Sequence, residues 1–272
     1  MKNNSQQRIR FYQVDAFSKG PFTGNPAAVC LLETWPEDSV LQHIATENNL
    51  SETAFVVRQP DGFGLRWFTP AVEVDLCGHA TLAAAYVLMR FIVRDLNQIS
   101  FQTKSGELTV RKKGRQYELN LPSFPLSPVP VTEAMAEAIG FMPDEAWLGR
   151  DLVCVMEREE YVRKAAPNME YIKQLPGLLL HITAEGKMFD CVTRSFAPKL
   201  KVSEDPVCGS GHCHVIPLWA EKLKKQDFRA LQASERSGIL YCRFSGDRVL
   251  IAGEAALYSI ADLYVQERRE TI

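Results

Sequence analysis

The chain has 272 residues, 46% hydrophobic and 24% charged, enough to fill one large core or two ordinary ones, so a disordered chain is excluded. Its 31 basic and 33 acidic residues give a formal net charge of −2, without the basic stripe that nucleic-acid backbones demand, which sets DNA and RNA aside. Residues 1–10 are polar rather than export-like, the strongest apolar run, 82–89, is too short to span a bilayer, and seven cysteines without dense spacing fit a reducing, cytoplasmic compartment.

In chain order, residues 10–14, 53–57, 65–68, 108–111 and 117–121 are short, mostly β-branched or aromatic, and bounded by Gly, Pro or Asp, the pattern of strands in an antiparallel or mixed sheet. Helical patterns with polar or glycine starts cover 39–48, 78–91, 132–139 and 209–225. The mixture predicts an α+β fold rather than a regular βαβ winding. Residues 121–131 hold four prolines, which resist regular structure, and mark the expected crossover between two halves.

The two halves carry an internal repeat. Arg66-Trp67-Phe68-Thr69-Pro70 is echoed by Arg194-Ser195-Phe196-Ala197-Pro198 at an offset of 128 residues, and Val74 and Val202 keep that offset. Each block then reaches an acidic residue and a Cys-Gly pair: Asp75-Leu76-Cys77-Gly78 in the first, Asp205-Pro206-Val207-Cys208-Gly209 in the second. A helix is predicted after each pair. Helix starts expose unpaired N–H groups and bind carboxylates or phosphates, and glycine there admits close approach of a ligand to the backbone. If the helices are counterparts, both starts point at one cleft and bring Cys77 toward Cys208. Such positions also lower thiol pKa values, which makes these two cysteines candidates for chemistry. Cys30, Cys154, Cys191, Cys213 and Cys242 read as small buried hydrophobes.

Cys208, His212, Cys213 and His214 do not follow a zinc spacing, so no metal is expected there. Gly209-Ser210-Gly211 lacks the remaining positions of a dinucleotide or P-loop motif, and no cofactor is expected.

Seven stretches resemble the PhzF-like (phenazine biosynthesis-like) family, which shares the fold of diaminopimelate epimerase. They are Val14-Asp15-Ala16-Phe17, Gly24-Asn25-Pro26-Ala27-Ala28-Val29, Asn49-Leu50-Ser51-Glu52-Thr53-Ala54-Phe55, Phe68-Thr69-Pro70, Cys77-Gly78-His79-Ala80-Thr81-Leu82-Ala83, Ser105-Gly106-Glu107-Leu108 and Glu204-Asp205-Pro206-Val207-Cys208-Gly209-Ser210-Gly211. Between residues 121 and 189 the likeness fades. The resemblance implies two pseudo-symmetric lobes, 1–122 and 123–272, with the chain end free to return to the first lobe. Each lobe would be a curled, mostly antiparallel sheet around a central helix, with the active site between them.

It also implies a cofactor-independent isomerase or epimerase that moves a proton on a small carboxylate metabolite. By this likeness Glu52 is the acid/base, His79, Asp205 and Ser210 arrange the substrate, and Asn25, Gly78, Gly209 and Gly211 line its binding site. The chemistry requires a base, its conjugate acid and donors for developing negative charge, and a histidine near a helix start is expected to stay neutral. The family's usual threonine before Gly-Ser is replaced here by Cys208. Together with Cys77, this resembles the two-cysteine arrangement of diaminopimelate epimerase and proline racemase, an alternative mechanism in which opposed thiols exchange the proton. A non-catalytic ligand-sensing or protein-interaction role is the reading from another class. A homodimer is the expected assembly.

Overall fold

In the computed structural model, which describes residues 7–265, eighteen strands join one continuous curled sheet. Residues 1–6 of the polar N-terminal stretch lie outside the described residues. The first lobe holds β1 (Gln7–Ala16), β2 (Asn25–Leu32), β3 (Glu52–Gln59), β4 (Gly62–Phe68), β5 (Glu73–Val74), β6 (Gln98–Thr103), β7 (Gly106–Lys113) and β8 (Gln116–Pro122). The second runs through β9 (Ser127–Val129), β10 (Glu145–Leu148), β11 (Leu152–Val155), β12 (Leu180–Glu185), β13 (Cys191–Ala197), β14 (Val202–Asp205), β15 (Asp227–Gln232), β16 (Gly238–Ser245) and β17 (Arg248–Gly253). The last strand, β18 (Ala255–Val265), returns to the first lobe and pairs antiparallel with β1.

The two lobes repeat one pairing scheme. β1–β2 is antiparallel, β2–β3 parallel, β3–β4 and β4–β5 antiparallel, β4–β6 parallel, and β6–β7–β8 antiparallel. Strands β10 to β17 repeat this order and sense, including the parallel pairs β11–β12 and β13–β15. Outer strands β18 and β9 flank β1 and β10, and the lobes are stitched along antiparallel β8–β17.

The repeated residues play matching parts. Arg66 binds Glu73 through Nε and Nη2 at 2.7 and 2.8 Å with its guanidinium 5.2 Å over the Phe68 ring. Arg194 binds Glu204 in the same forked way at 2.7 and 2.9 Å, 5.1 Å over Phe196. In each lobe a two-pronged ion pair ties the strand to the one that leads into the Cys-Gly pair, a geometry the planar guanidinium fork favours.

Among the described residues six α-helices accompany the sheet: α1 (Asp38–Asn48), α2 (Gly78–Val87), α3 (Glu133–Ile139), α4 (Glu159–Lys164), α5 (Met169–Ile172) and α6 (Gly209–Leu223). Every residue of α2 is buried, as its apolar sequence requires. The helix predicted over 78–91 stays α-helical only to Val87; Leu88–Ile92 then widens into a π turn. Thr132 caps α3 by accepting the N–H of Met135, and Gly140, at φ 90°, ends it. α6 contains Pro217, which has no N–H to offer the carbonyl of Cys213. That carbonyl instead accepts the N–H of Phe124 at 3.0 Å, so the proline-rich crossover is fastened to the central helix of the second lobe. α2 and α6 share one apolar core with the inner faces of both lobes of the sheet.

Candidate functional site

Asn25 and Glu52 stand at the starts of parallel neighbours β2 and β3, where Ala27 is the register partner of Glu52. Asp205 ends β14, and the Cys-Gly pairs open α2 and α6 with Cys77 and Cys208 as extended N-cap residues. The two helix starts meet: a Cβ on Gly78 would lie 3.2 Å from the Cα of Gly209. The N–H groups of Gly78, His79, Gly209 and Ser210 have no intrahelical acceptors and converge where the helices touch.

The polar groups form one chain across the lobes. Glu52 Oε2 lies 3.0 Å from His79 Nε2, a close but poorly aligned contact that leaves the buried oxygen without a well-directed donor. His79 Nδ1 is 3.0 Å from Asn25 Nδ2, which also donates to Asp205 Oδ1 at 2.7 Å and to the Val207 carbonyl at 3.1 Å. Asp205 also accepts the Val207 N–H at 3.1 Å. Thus Asn25, Glu52, His79 and Asp205 make one network, while Ser210 stands apart from it beside Cys208, its Oγ 3.5 Å from Sγ. Gly211 serves differently: its N–H goes to Cys208 Sγ at 3.3 Å, and any side chain there would strike the His181 ring, since a Cβ would lie 2.6 Å from Cε1.

Two expectations about charge are corrected. Burial opposes a charged His79, but the carboxylate of Glu52 and then that of Asp205 outweigh it, so its pKa is shifted above the ordinary value, the direction opposite to the one expected. Both thiols move opposite to the direction expected at a helix start. Burial, then the charge of Glu52, pushes Cys77 well above the ordinary value, and burial, then Asp205, does the same to Cys208 despite the donors of Ser210 and Gly211. Burial likewise pushes Asp205 up, against the pull of His79. The other five cysteines are buried, as read from the sequence.

A second polar cluster, of which only His214 was singled out in the sequence, lies behind Cys208. Asp151 Oδ2 is 2.7 Å from Arg150 Nη2 and 3.1 Å from His181 Nε2, while His181 Nδ1 is 2.9 Å from Ser195 Oγ. His214 Nδ1 is 3.6 Å from the same carboxylate oxygen, and its ring stacks on Phe124 at 4.7 Å. Although burial opposes it, the bonds from His181 and Arg150 hold the Asp151 carboxyl far below the usual range. These residues are scattered over 150–214 and share no spacing; the adjacent Arg-Asp pair is the only local hint.

Among the described residues, two groups bring three metal-type donors within 4.8 Å of one another: Glu52, Cys77 and His79, and Asp151, His181 and His214. In the second the Arg150 guanidinium already occupies the carboxylate and repels a cation. His214 alone of the residues at 208, 212, 213 and 214 enters either group.

Beside the helix starts opens a cavity of about 500 Å³, bounded by Leu76 and Ser210, the neighbours of Cys77 and Gly209, and by Arg150 and Phe124. No described helix is long and apolar enough to cross a membrane.

Two lobes of this topology are the fold of proline racemase and related epimerases. The chain belongs to the PhzC-PhzF, or phenazine biosynthesis-like, family, whose model matches residues 14–260. It is 46% identical over 251 residues to an uncharacterized isomerase of Pseudomonas aeruginosa, covering 92% of this chain and 96% of that protein. It is similar to a PhzF-family crystal structure from Enterococcus faecalis, with a TM-score of 0.92 and 43% identity over 95% of this chain and 100% of that one. A hydroxyproline epimerase from Agrobacterium vitis, 10% identical over 96% of this chain and 93% of that one, shares the fold at a TM-score of 0.63.

Proposed function

We propose that this chain moves a proton between carbon atoms of a small carboxylate metabolite without a cofactor, and that Glu52 is the acid/base. The observation that carries the reading is the contact of Glu52 Oε2 with His79 Nε2, 3.0 Å apart, beside two helix starts whose free N–H groups are suited to a carboxylate. As substrate loses its proton to Glu52, the negative charge that develops on its carboxylate is met by the amides of Gly78, His79, Gly209 and Ser210. His79 Nε2, 3.0 Å from the Glu52 carboxylate, serves as the conjugate partner through which the proton is held or returned. Asn25 and Asp205 fix the ring.

The two-cysteine reading draws on the matched N-cap positions of Cys77 and Cys208. It needs one thiolate, whereas both thiols are pushed strongly toward the protonated form. Glu52 is therefore preferred. The test is incubation with pooled amino and hydroxy acids in heavy water, followed by mass spectrometry for deuterium on carbon. Incorporation is expected with wild type and should fall by roughly 10²-fold to 10⁴-fold in Glu52→Gln. Absence of incorporation into any acid, or full activity in Glu52→Gln beside a dead Cys208→Ser, would overturn the reading.

A further inference from the structure

The cavity beside the helix starts has apolar walls, among them Leu76, Leu108, Phe124 and Leu179, and one cation, Arg150. The guanidinium is held from behind. Asp151, fully buried, accepts Nε at 3.2 Å and Nη2 at 2.7 Å, while the Phe124 ring packs 4.7 Å from Cζ. Asp151 is itself pinned by His181, which is pinned by Ser195. Four buried or half-buried side chains thus fix the direction of one arginine, whose side chain remains 34% exposed where it lines the cavity. Its remaining nitrogen, Nη1, takes no acceptor among the described residues.

The acidic residues on the same wall do not consume this donor. Glu73 is bound by Arg66 and Lys104, and Asp75 lies on the exposed rim. A guanidinium oriented in advance loses little freedom on binding and gains strength from its apolar surroundings. The carboxylate undergoing chemistry is already provided for by the helix-start amides.

We propose that Arg150 is a specificity-determining residue that takes a second carboxylate of the substrate, so that the substrate class is a diacid whose two carboxylates are joined by an apolar segment. This rests on the reading of the helix starts as the reacting carboxylate's site. The apolar walls receive the middle of the molecule, and Arg150 selects against analogues that end in a neutral group.

The test is calorimetric titration with two probes of nearly equal shape, 4-carboxyphenylacetate and 4-carbamoylphenylacetate, which differ in one charge. Wild type should bind the diacid at least about 10-fold more tightly. In Arg150→Gln the ratio should fall below about 2-fold with the affinity for the carbamoyl probe unchanged, and Arg150→Lys, which keeps charge but not the fork, should lie between. Equal affinity in wild type, no binding of either probe, or an unchanged ratio in Arg150→Lys or Arg150→Gln overturns the proposal. A merely structural arginine would lower the melting temperature and leave the ratio intact. Glu52→Gln should keep the probe ratio while losing deuterium exchange, so a failure of the acid/base reading shows separately from a failure of this one.

Discussion

Gly78 and Gly209 face each other so closely that a Cβ on either would stand 3.2 Å from the Cα of the other. The approach lets two helix starts share one ligand, and it explains why both N-cap cysteines are followed by glycine. Gly78→Ala or Gly209→Ala is expected to push the helices apart by a few tenths of an ångström. The cost should be about 1–3 kcal/mol of stability in urea titrations, in spite of the gain in helix propensity, with reduced deuterium exchange. Unchanged stability and exchange in both variants would show that the contact is not needed.

The thiols at the helix starts are expected to be unreactive. Because burial and nearby carboxylates raise both, iodoacetamide at pH 7 should modify Cys77 and Cys208 at least about 10-fold more slowly than a free thiol. Cys208→Ser should keep most of the exchange activity. Mass spectrometry of the alkylated peptides checks the first point; fast modification, blocked by an acidic ligand, would favour the two-thiol mechanism instead.

Acid should weaken the fold through two buried histidines. Burial lowers His212 from 6.5 to about 4 and His214 from 6.5 to about 3. In the unfolded chain both take up protons near 6.5. Their contribution is therefore complete above that pH and is lost as the pH falls toward those folded values, at up to about 1.4 kcal/mol per pH unit for each. His79 has the opposite sign: its raised value stabilises the fold below 6.5, and this is lost as the pH climbs through its folded pKa. Urea unfolding at pH 7, 6 and 5 should show falling stability, and His212→Asn or His214→Asn should flatten the slope. A slope unchanged in both variants would count against it.

Much of the frame was legible because the repeat is carried by residues with geometric duties. Arg66 and Phe68, like Arg194 and Phe196, stack and fork in the same way in both lobes, so the pattern persisted in the sequence. Strands such as β11 and β12 went unread because almost every residue in them is buried, and a strand covered on both faces has no alternation to reveal it. Glu52, His79 and Asp205 were found through motifs. Arg150, Asp151 and His181 were not, and His214 was weighed only as a zinc ligand, because the loop before β11, strand β12 and helix α6 bring them together from distant parts of the chain with no shared spacing.

The return of β18 to pair with β1 sets an order on assembly. Strands β9 to β17 can close as soon as residue 253 is available, but β1 keeps an open edge until Ala255–Val265 arrives, a pairing that joins Gln7 to Val265. Such distant pairing is slow, and an unpaired edge invites other chains. A chain ending at residue 254 is expected to be synthesised with a sound second lobe and to aggregate through its first, measurable by light scattering beside the full chain. On a ribosome the first lobe begun would be the last one finished.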